Sequence, residues 1–125
     1  MIVYPKSVVI EEQGLRDGLQ PEMVLVPTGK KLAIIDTLIA AGIKKIQVTS
    51  FVHPRRVPQM GDAEELCHKL DRSKDVTYSA LVLNEKGVQR AADTGLGHAG
   101  VSISASDTHS RKNAGRPAAA ARDAM

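Results

Sequence analysis

The strongest constraint on the fold is an alternation between two kinds of apolar stretch. Short β-branched runs occur at residues 7–12 (SVVIEE), 44–51 (KKIQVTSF), 76–83 (VTYSALVL) and 99–104 (AGVSIS). Longer stretches whose apolar residues recur at three and four positions lie between them. Strand-length and helix-length patterns in alternation are the mark of β/α units around a parallel sheet. In residues 28–41, Leu32, Ile35, Leu38 and Ile39 share a helical face, with Thr28 expected to cap the start and Gly42 to stop the helix. A second helix is expected over residues 61–70, with Asp62 near its start and Leu66 and Leu70 on one side. A third is expected over residues 84–94, capped by Asn84 and closed by Gly95. Pro117, tolerated in a first turn, opens a last helical stretch, AAAARDAM, that runs to Met125.

Four such units make about half of a (β/α)8 barrel, whose usual length is roughly 250 residues. The expectation is therefore an α/β fold in which residues 1–125 form a partial TIM barrel, truncated on its carboxy-terminal side. A four-stranded parallel sheet of this kind leaves open edges and an apolar inner face, so self-association or pairing with a second half-barrel is expected.

Composition narrows the function classes. A 125-residue chain with 42% apolar and 25% charged residues is that of a soluble globular domain. The net charge of +3 is mild, the basic residues are scattered, and Tyr4, Tyr78 and Phe51 are the whole aromatic set. Nucleic acid is thus not the expected partner. No run approaches the roughly 20 apolar residues of a membrane span. One cysteine, Cys67, excludes an internal disulfide, and acidic residues interrupt the first dozen positions too soon for a signal peptide, so a cytoplasmic location is expected.

In sheets of this type the loops after the carboxyl ends of the strands converge on one face and carry the chemistry. The unusual polar residues of this chain gather at such places. Arg16, Asp17 and Gln20 follow the first run, and Gln47, Thr49 and Ser50 close the second, ahead of the loop VHPRRVPQM. Ser104, Ser106, Asp107 and the RKN segment 111–113 follow the fourth. An arginine beside an aspartate, between Gly14 and Gly18, has two readings. It is a solvated turn with an ion pair, or it is a site in which the carboxylate holds a hard divalent cation while the guanidinium stabilises negative charge on an oxygen. The glycines allow close backbone approach or a positive φ. His53, His68, His98 and His109 show no pair at metal-ligand spacing. Cys67 reads as a packing residue, His68 as a helix surface residue, and His53 and His109 as loop residues on the active face.

Three segments, EEQGLRDGLQPE (11–22), VTSFVHPRRVPQMGDAEE (48–65) and SISASDTHSRKN (102–113), resemble the amino-terminal part of the 3-hydroxy-3-methylglutaryl-CoA (HMG-CoA) lyase family within the DRE-TIM metallolyases. The resemblance implies a barrel that cleaves HMG-CoA to acetyl-CoA and acetoacetate with magnesium or manganese. It implies Asp17 as metal ligand and Arg16 as the catalytic group that holds the substrate oxygen. Gln20 would line the acyl pocket, with Gln47, Ser50, Lys112 and Asn113 near the substrate or its CoA portion. The implied partners are an acyl-CoA and either further copies of the chain or a second half-barrel. Gln47 departs from the acidic residue usual at its position, and the family's remaining metal ligands belong to a segment beyond these 125 residues. Two alternatives stay open: a related lyase acting on another acyl-CoA or 2-oxo acid, and a catalytically silent half-barrel.

Overall fold

A computed structural model describes residues 3–124. Its centre is a three-stranded parallel sheet in the order β1-β2-β3, with β1 at Lys45–Ser50, β2 at Thr77–Val82 and β3 at His98–Val101. Helix α1 (Thr28–Ala40) precedes β1, α2 (Ala63–His68) and α3 (Glu85–Asp93) provide the two crossovers, and α4 (Asp107–Ala114) and α5 (Ala118–Asp123) follow β3. The expected α/β class with parallel pairing is what the chain adopts.

The core forms where the apolar stripes of the helices meet one face of the sheet. Ile46, Val48, Ala80 and Val82 are fully buried there with Ile35, Leu66, Cys67 and Ala91, and Leu32, Leu38 and Ile39 pack on the same cluster. Burying one such aliphatic side chain stabilises by about 1.5–3 kcal/mol. Cys67 is packing material, as expected. Burial pushes its thiol up to about 11, so it stays protonated at neutral pH.

The opposite face of the sheet is polar, and an irregularity in β1 shapes it. Gln47 pairs with Ser79 and the next pair is Thr49 with Ala80, so Val48 is an extra residue in the ladder. Side chains alternate along a strand, so Gln47 and Ser50, three apart, would ordinarily point to opposite sides. The bulge restores them to one side, because Ser50 pairs with Leu81 two residues beyond Ser79.

The run 7–12 does not form the expected first strand. Glu12 alone bridges to Ile46, its N–H donating to Lys45 O at 2.9 Å and its O accepting from Gln47 N–H at 2.8 Å. Upstream, Val8 and Val9 are each 77% exposed and Ile10 69%. β-branched residues favour a strand only when a packed face receives them, and none covers these three.

Smaller corrections follow from side-chain competition. Thr28 is the first helical residue rather than the cap, and Pro27 occupies the cap position. The Thr28 hydroxyl donates instead to Asp62 Oδ2 at 2.7 Å. Asp62 precedes α2 without capping it, since its other oxygen accepts from Lys31 Nζ at 2.6 Å, and Lys31, 1% exposed, also donates to Gln59 O. The second helix is accordingly shorter than expected. Asn84 caps α3 as expected, accepting from Gly87 N–H at 2.8 Å. The fourth strand is shifted and short, and the RKN segment belongs to a helix, α4, rather than a loop. Ser106 caps α4 by accepting from His109 N–H, and Gly115 closes it at φ 71°. These cap residues were the signal available in the sequence; DTHSRKN carries no apolar period to announce a helix. α5 matches the last expected helix, except that Met125 lies outside the described residues.

Candidate active site

Arg16 and Asp17 sit in a single wide helical turn, Gly14–Gly18, in which Leu19 N–H reaches back to Gly14 O at 2.9 Å. Leu15, 2% exposed, anchors that turn in the core. A Cβ at Gly14 would lie 2.7 Å from Glu12 Oε1, the tip of a flexible side chain that the Gly14 N–H contacts, so a larger residue there would displace that carboxylate. Gly18 faces open space and neither glycine has a positive φ, so the conformational argument fails for both, and close approach touches only the movable Glu12 carboxylate at Gly14.

The turn delivers the Arg16 guanidinium to the polar face of the sheet. Its Nε donates to Gln47 Oε1 at 2.6 Å, Nη1 to Asp17 Oδ1 at 2.8 Å and Nη2 to Gln13 Oε1 at 2.8 Å. The Arg16 side chain is 14% exposed and that of Asp17 72%. A guanidinium has five N–H donors, so three engaged leave one on each Nη without a partner among the described residues. Gln47 is itself buried in β1, and Gly100 of β3 makes room for it, since a Cβ at position 100 would lie 3.2 Å from Gln47 Nε2.

The polar row continues sideways. Gln13 Nε2 donates to Glu11 Oε2 at 3.0 Å, and Glu11 Oε1 accepts from Ser79 Oγ at 2.7 Å with Lys45 Nζ at 3.5 Å. The Ser79 hydrogen bond, helped by Gln13 and Lys45 and opposed by burial, holds the Glu11 carboxyl below its ordinary value. Glu11, Gln13 and Ser79 were missed in the sequence. The available signal was period two: if Glu12 pairs with β1, its neighbours at 11 and 13 must share the other face.

The remaining expected residues separate into two groups. Ser50 shares the polar face, and its Oγ is buried without a hydrogen-bond partner among the described residues. Gln20 is exposed at the end of the turn. Lys112 and Asn113 are exposed on α4, and Asn113 Nδ2 meets His109 Nε2 at 3.0 Å while His109 Nδ1 meets Ser104 Oγ at 2.6 Å. His109 is thus a helix residue, not a loop one. His53 Nδ1 accepts from Arg55 N–H at 3.2 Å, within its own loop. No hydrogen bond among the described residues joins α4 to Arg16. A cleft of about 550 Å³ lined by Leu32, Asp36, Leu70, Asp71 and Lys74 adjoins the loop entering β2 rather than Arg16.

For a divalent cation, the chemistry of the donor set decides. Asp17 offers one exposed carboxylate oxygen beside its bond to Arg16, whereas a hard cation takes about six oxygens. Among the described residues no three His, Cys, Asp or Glu side chains gather to hold a metal. The residues present therefore fit one corner of a cation site and do not make up the site.

Three comparisons bear on this arrangement. Residues 7–125 match the HMGL-like family. The chain is 47% identical over 110 residues to hydroxymethylglutaryl-CoA lyase YngG of Bacillus subtilis, covering 88% of this chain and 37% of that protein. It is 41% identical to the mitochondrial hydroxymethylglutaryl-CoA lyase of Bos taurus, covering 88% of this chain and 34% of that one. The crystal structure of the Bacillus subtilis HMG-CoA lyase superimposes with a TM-score of 0.89 at 42% identity, over 98% of this chain and 41% of that chain. An HMG-CoA lyase from Acinetobacter baumannii in complex with coenzyme A and 3-methylmalate gives 0.89 at 35% identity, over 99% and 41%. The parallel β/α arrangement thus coincides with the amino-terminal portion of a TIM-barrel lyase. The chain spans well under half the length of the relatives it matches.

Proposed function

Because the chain belongs to the HMGL-like family, we propose that it forms the Arg16-bearing part of a carbon–carbon lyase that cleaves HMG-CoA to acetyl-CoA and acetoacetate. The observation that carries this reading is the Arg16 guanidinium, oriented by three side-chain acceptors and left with two N–H groups that have no partner among the described residues. In the cleavage, the tertiary hydroxyl of the substrate loses its proton and its oxygen forms the new ketone as the carbon–carbon bond breaks. The electron pair of that bond passes to the acetyl-CoA fragment as an enolate, which is then protonated.

Arg16 serves that sequence by offering its free N–H groups to the oxygen on which charge develops, in a site shielded enough for such bonds to matter. Gln47 has no proton to take up at neutral pH, so its part is to hold Nε. Ser50, fully buried on the same face with a hydroxyl that lacks a partner among the described residues, is assigned to the substrate side of the site. A divalent cation, when bound, would polarise the substrate oxygens, and Asp17 would supply one of its ligands. Gln20, Lys112 and Asn113 are assigned to the rim that meets the acyl and CoA portions. The proposed partners are an acyl-CoA and the β/α units, from the same chain or another, that complete the site; the single buried thiol fits a reducing, cytoplasmic setting.

The test is cleavage of HMG-CoA by a full-length protein carrying these residues, followed through acetyl-CoA and acetoacetate. Arg16→Ala is expected to lower kcat by about a hundredfold or more, the usual loss for a developing-charge donor. A second reading follows from Gln47: a neutral amide beside Arg16 suits a related acyl-CoA or 2-oxo acid whose cleavage needs no carboxylate there. Turnover of such a substrate with no cleavage of HMG-CoA would replace the first reading by the second.

A further inference from the structure

The amide of Gln13 is held at both ends. Its oxygen accepts from Arg16 Nη2 and its nitrogen donates to Glu11 Oε2, whose partner oxygen is fixed by Ser79 Oγ. Flipping that amide would set its oxygen against a carboxylate and its NH2 against a guanidinium, two repulsive contacts in place of two attractive ones. The charge on Glu11 therefore dictates which end of Gln13 faces Arg16. Asp17 is a poor substitute, since its side chain is mostly exposed and an exposed ion pair contributes little. Gln47, the third acceptor, fixes Nε but leaves the guanidinium free to swing about that bond.

We propose that Glu11, acting through Gln13 and braced by Ser79 of β2, is a positioning residue for Arg16. The row Ser79–Glu11–Gln13–Arg16 sets the plane of the guanidinium, and with it the direction of the two free N–H groups. Glu11 touches no reacting atom in this scheme. The inference rests on Arg16 acting on the substrate oxygen, as proposed above.

A double-mutant cycle in the full-length protein carrying these residues tests it. Gln13→Leu and Glu11→Ala are each expected to lower kcat/KM about tenfold, mostly through kcat, the scale of a lost hydrogen bond to a charged group. Together they should do no worse than Gln13→Leu alone, because the link is already broken. Glu11→Gln, whose one amide oxygen can still accept from Gln13 while its NH2 donates to the Ser79 hydroxyl, should lose less. Additive losses, or a lowered Tm with kcat/KM unchanged, would overturn the proposal. The Arg16 Nε–H resonance in a 15N spectrum gives a readout apart from activity. It should exchange slowly in the parent protein and broaden in both Gln13→Leu and Glu11→Ala; an unchanged resonance overturns the positioning role. Should the parent protein cleave no HMG-CoA, the reaction reading fails and the arginine resonance alone decides the positioning claim.

Discussion

Residues 7–12 and 44–51 carry nearly the same message locally, two β-branched runs ending in polar residues, yet they meet opposite fates. Ile46 in the second run is fully buried in β1, whereas Ile10 in the first is 69% exposed. β1 has β2 on one side, the Glu12 bridge on the other and three helices against its apolar face. The backbone of the first run pairs with the sheet through Glu12 alone. A strand is thus a property of its neighbours more than of its own residues, and the two isoleucines are the natural places to test that difference.

The largest effect is expected at Ile46. Ile46→Ala removes buried methyl groups from a site walled by strand and helix, and should cost about 2–5 kcal/mol in urea unfolding with little change in slope. A loss below about 1 kcal/mol would mean that β1 is no more tightly packed than the first run, and the contrast would collapse.

Glu11 sharpens the comparison, because it lies in the unpaired run and is nonetheless fixed to β2 through Ser79. Its carboxyl is held below the ordinary 4.5 chiefly by that hydrogen bond. A carboxylate whose folded pKa is depressed stabilises the fold above its unfolded value, and the contribution disappears as pH falls through the lower folded value. The stability difference between the parent chain and Glu11→Gln should therefore be constant from neutral pH down to about pH 5.5, an interval where both states are ionised. It should shrink below 4.5 as the unfolded chain begins to bind the proton. The difference is expected to be small, since Glu11 is only partly buried. Two parallel stability curves from pH 7 to pH 3 would remove Ser79 as a real tether in solution.

These contrasts mark what the sequence can carry. Parallel β/α order, the α1 stripe and the burial of Cys67 follow from periods and local propensity, which are written residue by residue. So does the Arg16–Asp17 turn at the mouth of the sheet, whose meaning came from the resemblance as much as from chemistry. Which run would pair was not legible, because pairing depends on cover supplied by segments far along the chain. Neither was the extra residue Val48, which sets Ser50 beside Gln47, since a bulge changes no residue type. Glu11, Gln13 and Ser79 were hidden for a related reason: their partnership spans 68 positions and needs the register before it can be read. Lys112 and Asn113 were assigned to a loop because α4 is too polar to show a helical face.

The smallest effect is expected at Ile10. Its side chain meets no core cluster, so Ile10→Ala should change stability by less than about 0.5 kcal/mol, as surface substitutions do. The same substitution at two isoleucines of two β-branched runs would then differ several-fold for one reason, the cover over each. A loss at Ile10 comparable to that at Ile46 would show that residues 7–10 are packed in solution, by a second copy or by further β/α units. Repeating the measurement across protein concentration separates these two covers, because only an intermolecular one strengthens as concentration rises. In the first case the run would be a strand after all, and the polar row beginning at Glu11 would be pinned along its whole length rather than at Ser79 alone.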